Sequence, residues 1–67
     1  MRIRYDPEAD VLTLLLREEP PVDAVEESGI IVSYGEDGEP VSVEFLNAKK
    51  RTLIKDDRIE ITLESKL

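Results

Sequence analysis

The chain has 67 residues, 16 of them acidic and 9 basic, with a net charge of −7 and a pI near 4.4. It contains neither cysteine nor histidine. That excludes disulfides, thiolate metal sites and the usual zinc ligand and neutral-pH base, and so acidic a surface repels nucleic acid and anionic membranes.

One small domain spanning 1–67 is expected. So short a chain buries only about 60% of the surface that it exposes unfolded, so its core needs support. With disulfides gone, oligomerisation is the candidate left. Hydrophobic residues make up 40% of the chain and recur with clear periodicity, unlike a disordered acidic tail. No apolar run approaches the roughly 18 residues of a membrane span. The start, MRIRYDPEAD, lacks the apolar segment of a secretion signal, so a cytoplasmic location is expected. A 37% charged fraction, one amide side chain (Asn47) and one methionine lean towards thermophile-like composition. The final Ser65-Lys66-Leu67 matches a peroxisomal address in a eukaryotic host and otherwise reads as a strand running out.

Strand patterning dominates the chain. Ile3 and Tyr5 alternate with Arg2 and Arg4. Asp6-Pro7-Glu8-Ala9-Asp10 then offers proline at the second position of a turn, where its fixed φ already fits. Leu12, Leu14 and Leu16 share one face of the next run, and Val11, Thr13 and Leu15 the other, which suits a central strand buried on both sides. Glu18-Glu19-Pro20-Pro21 reads as a loop or an edge. Gly29 opens a run in which Ile30, Val32 and Tyr34 alternate with Ile31 and Ser33. Gly35-Glu36-Asp37-Gly38 carries the Asp-Gly pair of tight hairpins. Val41, Val43 and Phe45 alternate with Ser42 and Glu44. Leu46 to about Ile54 is the one helical candidate, though its end reads equally as a small strand leading into an Asp56-Asp57 turn. Last, Ile59, Ile61 and Leu63 alternate with Arg58, Glu60, Thr62 and Glu64.

The expected fold is mostly β (α+β): an antiparallel meander of four or five strands with one short helix. One helix covers only part of the apolar face, so dimerisation is expected to cover the rest. Leu12, Leu14, Leu16, Val43 and Phe45 are the expected core or contact residues.

Asp6, Glu8 and Asp10 have the spacing of the first three ligands of an EF-hand calcium loop. The remainder of that loop fails, with Val11 at its glycine position and Arg17 at its final glutamate. A turn with solvated acids explains every residue, so no metal and no cofactor is expected. Glu36, Asp37 and Glu39 read as a second solvated turn, and a joint cation site requires both turns at one end of the sheet. No serine has a histidine to activate it, and no residue pattern marks a carboxylate pair for acid–base work, so an enzyme is not expected. Lys49-Lys50-Arg51 is the one positive cluster; without interleaved aromatics it reads as a solvated helix end and not as a phosphate site.

The order YDPEADVLTLLL followed by GIIVSYGEDGEPVSVEFLNAKK resembles the small prokaryotic family catalogued as domain of unknown function 2283, over residues 1 to about 53. Its pattern resembles Y-D-x-E-A-D before a short apolar strand, then G-I-x-V-D-Y-D-x-D-G, then I-E-x-L-x-A-S-K. Ser33 and Gly35 stand where aspartates are frequent, Asn47 where aspartate is common, and Lys49 where serine is common. The resemblance implies a compact prokaryotic protein without established activity. For some members it implies the antitoxin half of a two-gene module, whose partner would be a small basic protein. RIEITLESKL lies beyond that core as an extra strand. The reading is therefore a non-enzymatic interaction module, homodimeric or bound to a small basic protein, with cation or small-ligand binding by the acidic turns as the alternative.

Overall fold

Short runs of alternating apolar and polar residues, separated by residues that tolerate a left-handed backbone, leave this chain little but strands to form. The computed structural model describes residues 1–66, so the Ser65-Lys66-Leu67 tripeptide ends outside the described residues. Seven strands follow one another: β1 (Arg2–Asp6), β2 (Val11–Leu15), β3 (Asp23–Glu27), β4 (Ile30–Tyr34), β5 (Pro40–Leu46), β6 (Ile54–Lys55) and β7 (Arg58–Ile59). The first five form one antiparallel sheet in the order β1-β2-β5-β4-β3, and β6 and β7 form a separate two-stranded hairpin.

The turns explain the strand boundaries. Between β1 and β2, the Asp6 carboxylate accepts the N–H groups of Glu8 (3.0 Å) and Ala9 (3.3 Å), and Asp10 leaves the turn at φ 58°. Ser28 and Gly29, at φ 51° and 78°, make a two-residue turn of the mirror-image type that matches the strand twist. Gly38, at φ 80°, closes the five-residue connection 35–39 between β4 and β5, its N–H donating to the Gly35 carbonyl (3.0 Å). Asp56 and Asp57, at φ 54° and 58°, turn β6 back onto β7.

The sheet is five-stranded and antiparallel as expected, but it is not a meander. β2 and β3 lie three strand spacings apart, about 14 Å, with β5 and β4 between them. The segment 16–22, stiffened by Pro20 and Pro21, is long enough to cross that distance. The two prolines thus mark a crossing between opposite halves of the sheet, giving β2–β5 a Greek-key order.

Two elements differ from expectation. No helix occurs among the described residues. Leu46 ends β5 and Ile54 begins β6; between them a single turn closes, with Arg51 N–H donating to Asn47 (3.2 Å) and Leu53 N–H to Ala48 (3.0 Å). Asn47 (φ 55°) and Thr52 (φ 60°) bracket that turn in left-handed backbone, which a right-handed helix does not continue through. The small strand and Asp56-Asp57 turn form instead. The fifth strand of the sheet is also not the expected one. Asp23-Ala24-Val25-Glu26-Glu27 supplies it as a wholly exposed edge, whereas of the C-terminal run only Arg58–Ile59 pairs, with Ile54–Lys55.

Register sorts the side chains into two faces. The inner face carries the row Ile3, Leu14, Val43, Val32, Val25 and the row Tyr5, Leu12, Phe45, Ile30, Glu27, each running across all five strands. The outer face carries Arg4, Thr13, Glu44, Ile31, Glu26 and their neighbours. The core forms where the C-terminal segment lies on the inner face: Leu12, Ala48 and Ile54 are buried, with Tyr5, Phe45 and Leu53 packed around them. Val41 is buried at the other end, its carbonyl accepting the N–H groups of Leu16 (2.8 Å) and Arg17 (3.2 Å).

Candidate interaction face

The roof over the inner face is held by the first acidic turn. Asp10 accepts the Tyr5 hydroxyl proton (2.7 Å) and the Lys49 N–H (3.2 Å) on its carboxylate, while its carbonyl accepts Ala48 N–H (3.1 Å). Partial burial, then the Asp10 carboxylate, push the Tyr5 phenol up to about 12. Asp6 holds its own turn and Asp10 docks the C-terminal segment. Glu8 is exposed. The three carboxylates of the calcium-like spacing therefore serve different parts of the fold.

The second acidic turn is tied elsewhere. Arg17 grips the Asp37 carboxylate with two N–H groups (2.8 and 2.9 Å) and also contacts Glu19. The Arg17 guanidinium, followed by the Glu39 N–H, lowers Asp37 to about 2. Because Val11 pairs with Leu46 and Leu15 with Ser42, the Asp6–Asp10 turn and the Gly35–Glu39 turn lie at opposite ends of the sheet. The juxtaposition needed for a joint cation site is absent. Among the described residues, no three histidine, cysteine, aspartate or glutamate side chains converge as a metal-binding group.

The basic cluster also takes a different place. Arg51 donates Nε–H to the Leu46 carbonyl (2.7 Å) and a second N–H to the Ser28 carbonyl, joining the end of β5 to the β3–β4 turn. It is a brace between backbone segments and not a solvated helix end.

Four of the five expected contact residues come together. Leu12 faces Phe45 and Leu14 faces Val43 across the β2–β5 ladder. Leu12 is buried and Phe45 joins the core around it, whereas Leu14 and Val43 are half-buried in the next row. Leu16 lies beyond the end of β2 and is 37% exposed, outside the paired rows. Pattern reading put Ile30, Val32 and Tyr34 on one face without counting them as contact residues, and it missed Val25; the four line an open depression of about 390 Å³ beside Glu27 and Ser28. The alternation of β4 pointed to three of them; Val25 stayed hidden because an acidic edge strand has no apolar rhythm.

The inner face is thus divided. The C-terminal segment roofs the Tyr5–Leu12–Phe45 corner, while the row from Ile3 (41% exposed) to Val25 (53% exposed) crosses the sheet without joining that core. Among the strand residues of this face, carboxylates are confined to the β3 edge, at Asp23 and Glu27. Fold and surface together define a small β-sheet scaffold with a part-roofed apolar face. The chain belongs to the family described as protein of unknown function (DUF2283), whose sequence model matches residues 2–49, the whole five-stranded sheet without the β6–β7 hairpin. No curated protein and no solved structure matches it.

The motif positions now have structural roles. Tyr5 and Asp10 form the hydrogen bond that docks the roof. A β-carbon at Gly35 would lie 2.1 Å from a Glu19 carboxylate oxygen and 2.9 Å from Arg17, so the aspartate that the resemblance leads one to expect there would displace this pair. Asn47 occupies left-handed backbone, which asparagine tolerates well.

Proposed function

We propose that this protein is a non-enzymatic interaction module that pairs with a second copy of itself through the unroofed part of its inner sheet face. The observation that carries this reading is Val43. It sits on the central strand, flanked by Leu14 and Val32, and is still only half-buried. A contiguous apolar row with no roof is the usual mark of a contact surface. A second copy suits it because a two-fold contact places the same patch on both partners, and the charges of this strongly acidic chain stay at its margin. A small basic protein is the second reading, supported by the net charge of −7 beside that apolar row. Binding of cations by the acidic turns has less support, since their carboxylates hold turns and lie at opposite ends.

The test is mass in solution by light scattering behind a sizing column. A dimer is expected for the wild type, and a folded monomer for Val43→Asp or for the milder edge change Val25→Lys. A wild type that stays monomeric at about 100 μM overturns the self-association reading.

A further inference from the structure

The segment 60–64 has the alternation of a strand, yet beyond the hydrogen bond from Glu60 N–H to the Leu53 carbonyl it forms no ladder pair among the described residues. Ile61 is 52% and Leu63 94% exposed, and the last ladder pair is Ile54 with Ile59. The radius of gyration, 12.9 Å, exceeds the roughly 11 Å of a compact domain of this length, as expected for a projecting segment. This stretch also lies outside the family match.

We propose that residues 60–64 of one copy add as a sixth strand to the free edge of β1 in a second copy, reciprocally, so that exchanged C-terminal strands close the dimer. The inference rests on the self-association reading above and specifies its geometry.

Charge selects the edge. The sheet has two free edges, β1 and β3. β3 carries Asp23, Glu26 and Glu27, which repel Glu60 and Glu64. β1 presents Arg2 and Arg4 on its outer face and Ile3 and Tyr5 on its inner face. An antiparallel strand with Ile61 opposite Ile3 places Glu60 opposite Arg4, Leu63 opposite Met1 and Glu64 diagonal to Arg2. Opposite charges and apolar pairs across strands each contribute about 0.2–1 kcal/mol, so both faces favour this edge. Arg4 has no carboxylate partner among the described residues, and Arg2 has only the exposed Glu18.

Chain geometry selects the second copy. The β6–β7 hairpin sits over the inner face, with Ile54 in the core cluster beside Leu12, and Glu60 N–H is held by the Leu53 carbonyl (2.7 Å). The segment therefore leaves from a layer about 10 Å above its own sheet, and at about 3.3 Å per residue the descent would consume three of the five residues. A second copy meets the segment where it projects. Area argues the same way. Five strands of five residues span about 24 by 17 Å, so two whole faces bury about 800 Å², short of the 1,200 Å² or more of stable interfaces. Two added strands supply contact area and main-chain hydrogen bonds that face packing alone lacks.

The test uses two full-length double variants, Arg2→Glu/Arg4→Glu and Glu60→Arg/Glu64→Arg. Each alone opposes like charges at both junctions, and its dimer dissociation constant is expected to rise about tenfold or more, the equivalent of 1.4 kcal/mol. Mixed one to one, acidic edge meets basic segment and basic edge meets acidic segment, so a heterodimer of wild-type affinity is expected. Failure of the mixture to recover, or unchanged self-association of either variant, overturns the proposal. Ile61→Pro separates it from the reading beneath it, because proline blocks a ladder at an exposed position without entering the core. Ile61→Pro is expected to be monomeric and still to melt cooperatively, as a folded five-stranded sheet does. If it stays dimeric while Val43→Asp does not, strand exchange is wrong and face-to-face pairing stands.

Discussion

Leu12→Ala tests whether the C-terminal segment is the roof of this fold. Leu12 is 1% exposed, lies between Tyr5 and Phe45 on neighbouring strands, and meets Ala48, Ile54 and Leu53 from above. Truncation removes three buried carbons and leaves a cavity, and such changes cost about 2–5 kcal/mol according to how far the site collapses. Here the floor is a paired sheet that hardly moves, while the roof is a short hairpin that can settle, so about 3 kcal/mol is expected. A 67-residue domain has about 3–10 kcal/mol in total, and each kcal/mol shifts Tm by about 4–8 °C. Leu12→Ala should therefore lower Tm by about 12–24 °C and move the urea midpoint at constant slope. Leu16→Ala, at a residue 37% exposed beyond the strand, should cost less than about 1 kcal/mol. Equal losses for the two variants would show that the roof is not seated on Leu12, and the assignment of the core would fail.

Acid stability should depend on Asp37. Its carboxyl is lowered from 3.8 to about 2 by Arg17 and by the Glu39 N–H, so its contribution is complete above about pH 4 and is lost as pH falls towards 2. Thermal melts of wild type and Asp37→Asn should differ at pH 7 and converge near pH 2; parallel curves would remove Asp37 from the account. Alkaline stability has the opposite sign, because the Tyr5 phenol is raised from 10.0 to about 12. Its contribution is complete below pH 10 and lost by about pH 12, and Tyr5→Phe should flatten that part of the profile. In the β6–β7 turn, Asp57→Gly relieves a left-handed aspartate and creates the Asp-Gly pair that such turns favour, so Tm should rise by the few degrees that up to about 1 kcal/mol provides. A fall in Tm would mean that the Asp57 side chain has a contact outweighing its backbone strain.

Alternation and turn chemistry alone located β1, β2, β4 and β5, because each carries apolar residues at alternate positions and is bounded on at least one side by proline, glycine or aspartate. The same reading recognised Asp6–Asp10 as a turn and placed Leu12, Leu14, Val43 and Phe45 on shared faces. Strand order was decided only in three dimensions: local pattern does not say whether a proline-rich segment turns back or crosses two strands. β3 was invisible for a related reason, since an edge strand facing water needs backbone partners and no apolar side. The C-terminal run shows the converse. Its pattern is that of a strand, but a strand also needs a partner, and among the described residues 60–64 join neither the five-stranded sheet nor the β6–β7 ladder. Asp10 shows the same limit at a single residue: the sequence marks it as the end of a turn, and only the fold brings Tyr5 and Lys49 to it, because its partners lie 5 and 39 residues away along the chain.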